Sequence, residues 1–482
     1  MQPADLPRAT QAYLTDVFAP VCEESTAAGL EVVGEIPRDI NGLFVHNGPN
    51  PRFAPNRGHS WFDGDGMVHG VQLEDGSATF RSRWIATRGL EEDLTAGRAT
   101  YVGSMAKPGA GKRHKNVANT DLVYHAGRLL ALWWEGGAPV ELGLADLRTR
   151  GTFDYQGTLA GGLTSHAKLD PRSGELCFMS WARRHPFLHV GAAADSGTVT
   201  RYTPVDLPGP RVQHDMAISE RFFCVFDFPL MIDLTRPGHD TIGFTFEPEA
   251  PARIGLLERR DPDAPVRWFE IAPCFMWHVS CAWDEGDEFV LVGARIQHPT
   301  RIDRRGHIRS DGPIVDGEHR FDARPYMWRV NVKTGIVHER QLDDVHVEFP
   351  RVNDANICSG ARYSYMVELR AAEPTVKGCG WLKYDLLSGR REHLPFPGGH
   401  IGYEASFAAR EGGAGEDDGY LVGFVTNEID LTSEFWITPS RCLADGPIAR
   451  VKLPQRVPPK FHGRWIPARR PRQRRDSTWQ EF

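Results

Sequence analysis

Asp170-Pro-Arg-Ser-Gly-Glu-Leu, Asn331-Val-Lys-Thr-Gly-Ile-Val and Tyr384-Asp-Leu-Leu-Ser-Gly-Arg are three versions of one phrase. Each runs from a strand-like segment through polar residues to Ser-Gly or Thr-Gly, then into a second strand. The glycine supplies the positive φ that a tight hairpin needs. Asp75-Gly76, inside residues 70–80, makes a fourth hairpin of the same kind. The flanking runs 176–181, 328–340 and 381–394 carry β-branched and aromatic residues, as strands do. The repeat has no strict period and lacks WD or kelch signatures. Even so, it fits an all-β protein built of radially repeated four-stranded blades, a β-propeller.

Helical periodicity is scarce. Its clearest candidate is the N-terminal arm, residues 1–28. No linker divides the chain, and the acidic, Gly-rich stretch 411–419 reads as a surface loop. Residues 1–482 are therefore expected to form one propeller domain, ending in a basic, solvated tail over 466–482.

Composition narrows the function classes. A formal net charge of −7 argues against a nucleic-acid partner. Eight cysteines occur without a CxxC pair, which argues for buried, reduced thiols rather than a zinc ribbon or redox pair. Asp63-Gly-Asp-Gly lacks the ligands of a calcium loop where Met67 and Val68 stand. No basic start precedes an apolar run at the N-terminus, and no apolar run has membrane-spanning length. A cytoplasmic protein with at most peripheral membrane contact, monomer or homodimer, is the expectation.

Among 19 histidines, four stand in or beside apolar strand-like runs. They are His166 in Leu163-Thr-Ser-His-Ala, His214 in Val212-Gln-His-Asp-Met, His278 in Phe275-Met-Trp-His-Val and His462 in Lys460-Phe-His-Gly. A buried imidazole needs partners for both nitrogens, and a metal on one with a carboxylate on the other is one solution. The spacing suits ligands drawn from different blades and aimed at a common axis. It equally allows four separately satisfied histidines. Glu135, Glu348 and Glu404 adjoin apolar segments and could supply the carboxylates, or could be solvated.

The chain resembles the carotenoid cleavage oxygenases, from about residue 29 to residue 465. The resemblance rests on Gly42-Leu-Phe-Val-His-Asn-Gly-Pro-Asn-Pro, Trp61-Phe-Asp-Gly-Asp-Gly-Met-Val-His-Gly and Ala118-Asn-Thr-Asp. It also rests on residues 129–137, the four histidine segments, Glu348-Phe-Pro-Arg and Phe461-His-Gly. It implies a seven-bladed propeller with a helical and loop dome over the metal face. It implies Fe(II) on His166, His214, His278 and His462, with Glu135, Glu348 and Glu404 orienting three of them. Thr120 then lies near the vacant iron position.

One stretch departs from the family. Two residues, Trp133 and Trp134, stand between Leu130-Ala-Leu and Glu135 where the family usually has one. An extra residue in a strand reverses the facing of all that follow, unless a β-bulge restores it. Without a bulge, Trp134 faces the iron and the role of Glu135 fails.

The implied reaction is the cleavage of an apolar alkene by O₂ to two carbonyl products. Trp61, Phe62, Tyr101, Trp133, Trp134 and Phe275 adjoin family motifs and are candidates to line the substrate tunnel. Relatives that cleave hydroxystilbenes hold the phenol with a Tyr and a Lys. Tyr101 matches the Tyr, but Trp134 replaces the Lys. An apocarotenoid or carotenoid substrate is therefore preferred to a phenylpropanoid or hydroxystilbene. A retinoid-type isomerase or hydrolase, and a non-catalytic scaffold, are the competing classes.

Overall fold

The computed structural model describes residues 11–235, 242–297, 299, 322–370 and 375–468. The hairpin phrase recurs as one physical unit. Gly174, Gly335 and Gly389 all have φ between 71° and 77°. Each donates its N–H to the residue four back, Asp170, Asn331 or Asp385. The side chain of that residue accepts from the turn backbone as well. The polar residue thus replaces the solvent contacts the turn would otherwise need.

The strands assemble into seven antiparallel blades. Blade 1 is Gly42–His46, Met67–Glu74 and Ser77–Trp84, closed on its inner edge by the last strand, Gly463–Pro467. Blade 2 begins at Asp121–His125 and Arg128–Leu132, and blade 3 at Lys168–Leu169 and Leu176–Trp181. Ala217–Ile218 opens blade 4, Phe275–Glu285 blade 5 and Val347–Arg351 blade 6. Blade 7 has an inner edge broken into His400–Gly402 and Ser406–Ala409, both paired to Gly419–Asn427. The first and last strands of the fold therefore share one blade, which closes the ring non-covalently.

The closing strand corrects one boundary. Trp465 and Ile466 are buried in it, and Arg464 donates to the carbonyl of Leu122 and pairs with Asp354. The stretch expected as a solvated tail from residue 466 is therefore folded through Pro467, and residues 469–482 lie outside the described residues. A helix is expected in the arm, of which residues 1–10 also lie outside them. The described part holds helical residues 11–12, a short 3-10 turn, Asp16–Phe18, and a strand, Ser25–Ala28. The thiols are free as expected, but Cys22 and Cys442 are exposed rather than buried.

Among the described residues the dome is mostly loop, with an α-helix, Arg88–Ala96. Thr87 caps it and Gly97 ends it in the left-handed conformation. The Asp63-Gly-Asp-Gly segment is a dome clamp. Asp63 closes a capping box on Ser60 and accepts from the Ser104 N–H, while Asp65 accepts from the Arg52 N–H. Asn119 donates to the carbonyls of Phe62 and Gly64, which fixes Phe62 in the dome. Among the described residues no helix is long and apolar enough to cross a membrane.

Candidate metal centre

The inner edges of the blades meet at the propeller axis, and most of them deliver one polar side chain there. His166 and His214 sit just before the inner strands of blades 3 and 4, and His462 just before the closing strand. His278 lies inside the inner strand of blade 5, where the register to Glu288–Ile296 shifts between Met276 and Val279. Such a shift re-aims a side chain out of the sheet face. His166 is held at φ 65°, a left-handed conformation uncommon outside glycine. The Asp121 carboxylate supports it by accepting its backbone N–H at 3.2 Å.

The four rings form one buried cluster, each no more than 7% exposed. The Nε2 atoms of His166 and His214 are 3.2 Å apart, and those of His214 and His278 3.3 Å. The His462 ring centroid lies 4.5 Å from that of His166 and 4.7 Å from that of His278. Burial holds His166, His214 and His278 well below the ordinary histidine pKa, so they are neutral. Burial also disfavours charge on His462, but Glu404 and Asp121 outweigh it and raise its pKa.

Two glutamates stand behind two of these rings. Glu348 meets Nδ1 of His278, and its Oε2 also accepts the Phe349 N–H at 2.8 Å. Phe349 has φ 53°, and the register of its strand shifts there, which turns Glu348 to the axis. Glu404 occupies the break in the inner edge of blade 7. It is 3.0 Å from Nδ1 of His462 and accepts the Gly463 N–H at 2.7 Å. Burial raises Glu348 to about 8. At Glu404 burial acts the same way, but Arg351 and His462 outweigh it and lower the pKa. A carboxylate on Nδ1 fixes the tautomer and directs the Nε2 lone pair inward. His166, His214 and His278, with Nε2 atoms facing one another, are a donor set that fits a transition metal ion, and His462 stands against them.

Glu135 does not join them. The pairing of Asp121–His125 with Arg128–Leu132 runs without a register shift, so there is no bulge. The chain then turns from Trp133 to Gly136, with the Gly136 N–H on the Trp133 carbonyl. Trp134 points to the histidines, its ring centroid 6.5 Å from His214. Glu135 points away and pairs with Arg183, with His114 nearby. Nδ1 of His214 is consequently buried without a hydrogen-bond partner.

The aromatic residues divide into two groups. Phe62 packs 5.7 Å from Trp134, 6.0 Å from Trp277 and 5.3 Å from Phe461, and 6.4 Å from His214. Phe275 stands behind Trp277, and Trp61 stacks on Tyr13 and meets Phe461 edge-on in the dome core. Tyr101 and Trp133 are not at the histidines. Tyr101 donates to Glu92 under Lys112, and with Trp133 and Glu135 lines a separate cavity. The Thr120 hydroxyl accepts the Trp134 N–H at 3.1 Å and so holds that indole in place. Sequence reasoning missed Trp277, edge-on to His214 at 4.7 Å, and Phe461. Both directly precede one of the four clustered histidines in sequence, and that adjacency was the available signal.

The sequence profile of the retinal pigment epithelial membrane protein (RPE65) family matches residues 18–467. The chain belongs to this family. Among its relatives, a carotenoid 9,10(9',10')-cleavage dioxygenase of Phaseolus vulgaris is 34% identical, over 94% of this chain and 89% of its own length. A carotenoid cleavage oxygenase of Mycobacterium tuberculosis is 30% identical, over 94% and 97%. Cobalt-substituted apocarotenoid oxygenase of Synechocystis superposes with a TM-score of 0.81 at 26% identity, covering 97% of this chain and 99% of its own. Lignostilbene dioxygenase of Pseudomonas brassicacearum has a TM-score of 0.85 at 24% identity, over 96% and 99%, and shares the fold.

Proposed function

We propose that His166, His214, His278 and His462 hold one Fe(II) and that the protein cleaves a C=C bond of a carotenoid or apocarotenoid with O₂. The observation that carries this reading is the meeting of four buried imidazoles, two of them carboxylate-backed, beside the Phe62, Trp134 and Trp277 rings. Bound there, iron(II) supplies the electrons and the open coordination position that O₂ activation requires.

The remaining work falls to the chain. Phe62, Trp134, Trp277 and Phe461 present flat apolar faces that hold a conjugated chain and exclude water. Thr120 keeps Trp134 in register by accepting its backbone N–H. The alkene breaks, and each carbon takes one oxygen atom of O₂ to become a carbonyl. No proton is exchanged with a side chain.

A polyene suits this lining better than a hydroxystilbene. Trp134 offers no cation to a phenol, and the Tyr101 hydroxyl is engaged by Glu92. The test is anaerobic Fe(II)-loaded enzyme given ¹⁸O₂ with apocarotenals, hydroxystilbenes and propenyl phenols. Labelled oxygen in both aldehydes from an apocarotenal is expected. Unlabelled products would favour an isomerase or hydrolase, and cleavage of the stilbenes alone would move the substrate class.

A further inference from the structure

His166, His214 and His278 lie on consecutive blades, and one ion pair touches the chain beside each of them. Lys168 stands two residues after His166, in the inner strand of blade 3. Asp215 directly follows His214 on blade 4. The Lys168 ammonium meets Oδ1 of Asp215 at 2.7 Å. The same oxygen accepts the Met216 N–H at 2.7 Å, and Oδ2 accepts the Val279 N–H of blade 5, also at 2.7 Å. Val279 directly follows His278 and sits where the register of that strand shifts. One carboxylate therefore joins the segments that carry three of the histidines.

Asp121 and Glu404 show part of the same device. Asp121 accepts the N–H of Leu122 and that of His166 in the next blade, and Glu404 accepts that of Gly463 in blade 1. Asp215 adds a cation from the blade before it, so its link spans three blades. With His166, His278 and His462 the pair lines a small polar cavity that contains no phenyl or indole ring. It is thus set apart from the face on which Phe62, Trp134 and Trp277 pack. Side-chain exposure is 13% at Lys168 and 3% at Asp215. Desolvating two charges to that depth offsets much of their attraction, so bulk stability is a poor account of the pair. Fixed geometry is a better one. His214 depends most on where its backbone is held, because its Nδ1 has no hydrogen-bond partner to set the ring.

We infer, resting on the reading of the histidines as metal ligands, that the Lys168–Asp215 pair is a brace that sets the mutual positions of His166, His214 and His278. Both are positioning residues for the metal. Metal-free protein titrated with Co(II) against a chelator tests this, with the visible Co(II) spectrum recorded at saturation. Asp215→Asn and Lys168→Met lower Co(II) affinity by about tenfold or more, the range for losing an outer partner of a metal ligand, and shift the bands. Lys168→Arg keeps the charge and restores most of the affinity and the spectrum. Asp227→Asn is the control, since Asp227 is equally buried and pairs with Arg211 and Arg253 in blade 4. It lowers the melting temperature of the metal-free protein and leaves Co(II) affinity and spectrum as in the wild type.

Combining Lys168→Met with Asp215→Asn leaves no unpaired charge. That variant melts closer to wild type than either single one, yet keeps the weakened affinity and the shifted spectrum. Wild-type affinity and spectrum in any of these three variants overturn the inference, and so does an equal effect of Asp227→Asn. A wild type that takes up no Co(II) sinks the metal reading and the brace with it. Normal uptake by wild type and variants alike sinks the brace alone.

Discussion

The two sides of the histidine cluster are built from different materials. His278 and His462, on blades 5 and 1, each lean on a buried glutamate that also accepts a backbone N–H. His214, on blade 4, leans on indoles: Trp277 edge-on, and Trp134 across from it. One side is fixed by hydrogen bonds to buried carboxyl groups, the other by packing. The pairing in blade 2 runs without a register shift to Leu132 and the chain then turns from Trp133 to Gly136, which leaves Trp134 rather than Glu135 facing His214. Function at the axis is therefore sensitive to the parity of an inner strand in a way the bulk of the propeller is not.

Removing a ring should have the largest effect on either side. His214→Ala, His278→Ala and His462→Ala should each lower cleavage by more than about 100-fold, beyond what loss of an outer partner costs. Iron content after anaerobic loading checks this. Equal iron in all three variants would break the comparison at its root.

Next come the carboxylates. Glu348→Gln and Glu404→Gln should weaken metal affinity by about 10–100-fold. Glu135→Gln should change it less than about twofold, since Glu135 backs Arg183 rather than a ring. Competition with a chelator measures all three, and a Glu135 effect as large as the others would show that the two sides are alike.

Trp134→Glu sharpens the contrast from the other direction. It supplies an acid near Nδ1 of His214, so metal should bind up to about tenfold more tightly, while the metal-free protein should melt at a lower temperature. A metal affinity that falls would mean the indole itself positions His214.

The smallest effect is a pH term. Burial raises Glu135 to about 7, against Arg183 and Arg113, with Asp63 acting in the same sense as burial. The fold thus favours its protonated form. That stabilisation is complete below the ordinary value of 4.5 and is lost as pH rises through about 7. The melting temperature of Glu135→Gln relative to wild type should therefore increase from pH 5 to pH 8, by about 1–2 °C. A flat difference would place Glu135 in water.

Much of this was legible in the chain. The Ser-Gly and Thr-Gly phrases announced hairpins, and in the structure they share one φ and one hydrogen-bond pattern. The segments around the four histidines announced the cluster only through family resemblance, since spacing allows many other arrangements. Glu348 and Glu404 reach the axis through a left-handed Phe349 and a broken inner edge, features with no local signature in the sequence. The direction of Glu135 was open because it depended on a bulge, and bulges are set by pairing partners rather than by local composition. Tyr101 misled for a similar reason. The helix Arg88–Ala96 carries Glu92 to its hydroxyl and takes it out of the site.

The central claim is that four histidines, two of them glutamate-backed, hold one iron. Its most direct test is iron content per chain after anaerobic Fe(II) loading and desalting, comparing wild type with His462→Ala. The account predicts stoichiometric iron in the wild type and little in the variant. Iron retained equally by both, or bound by neither, would contradict it.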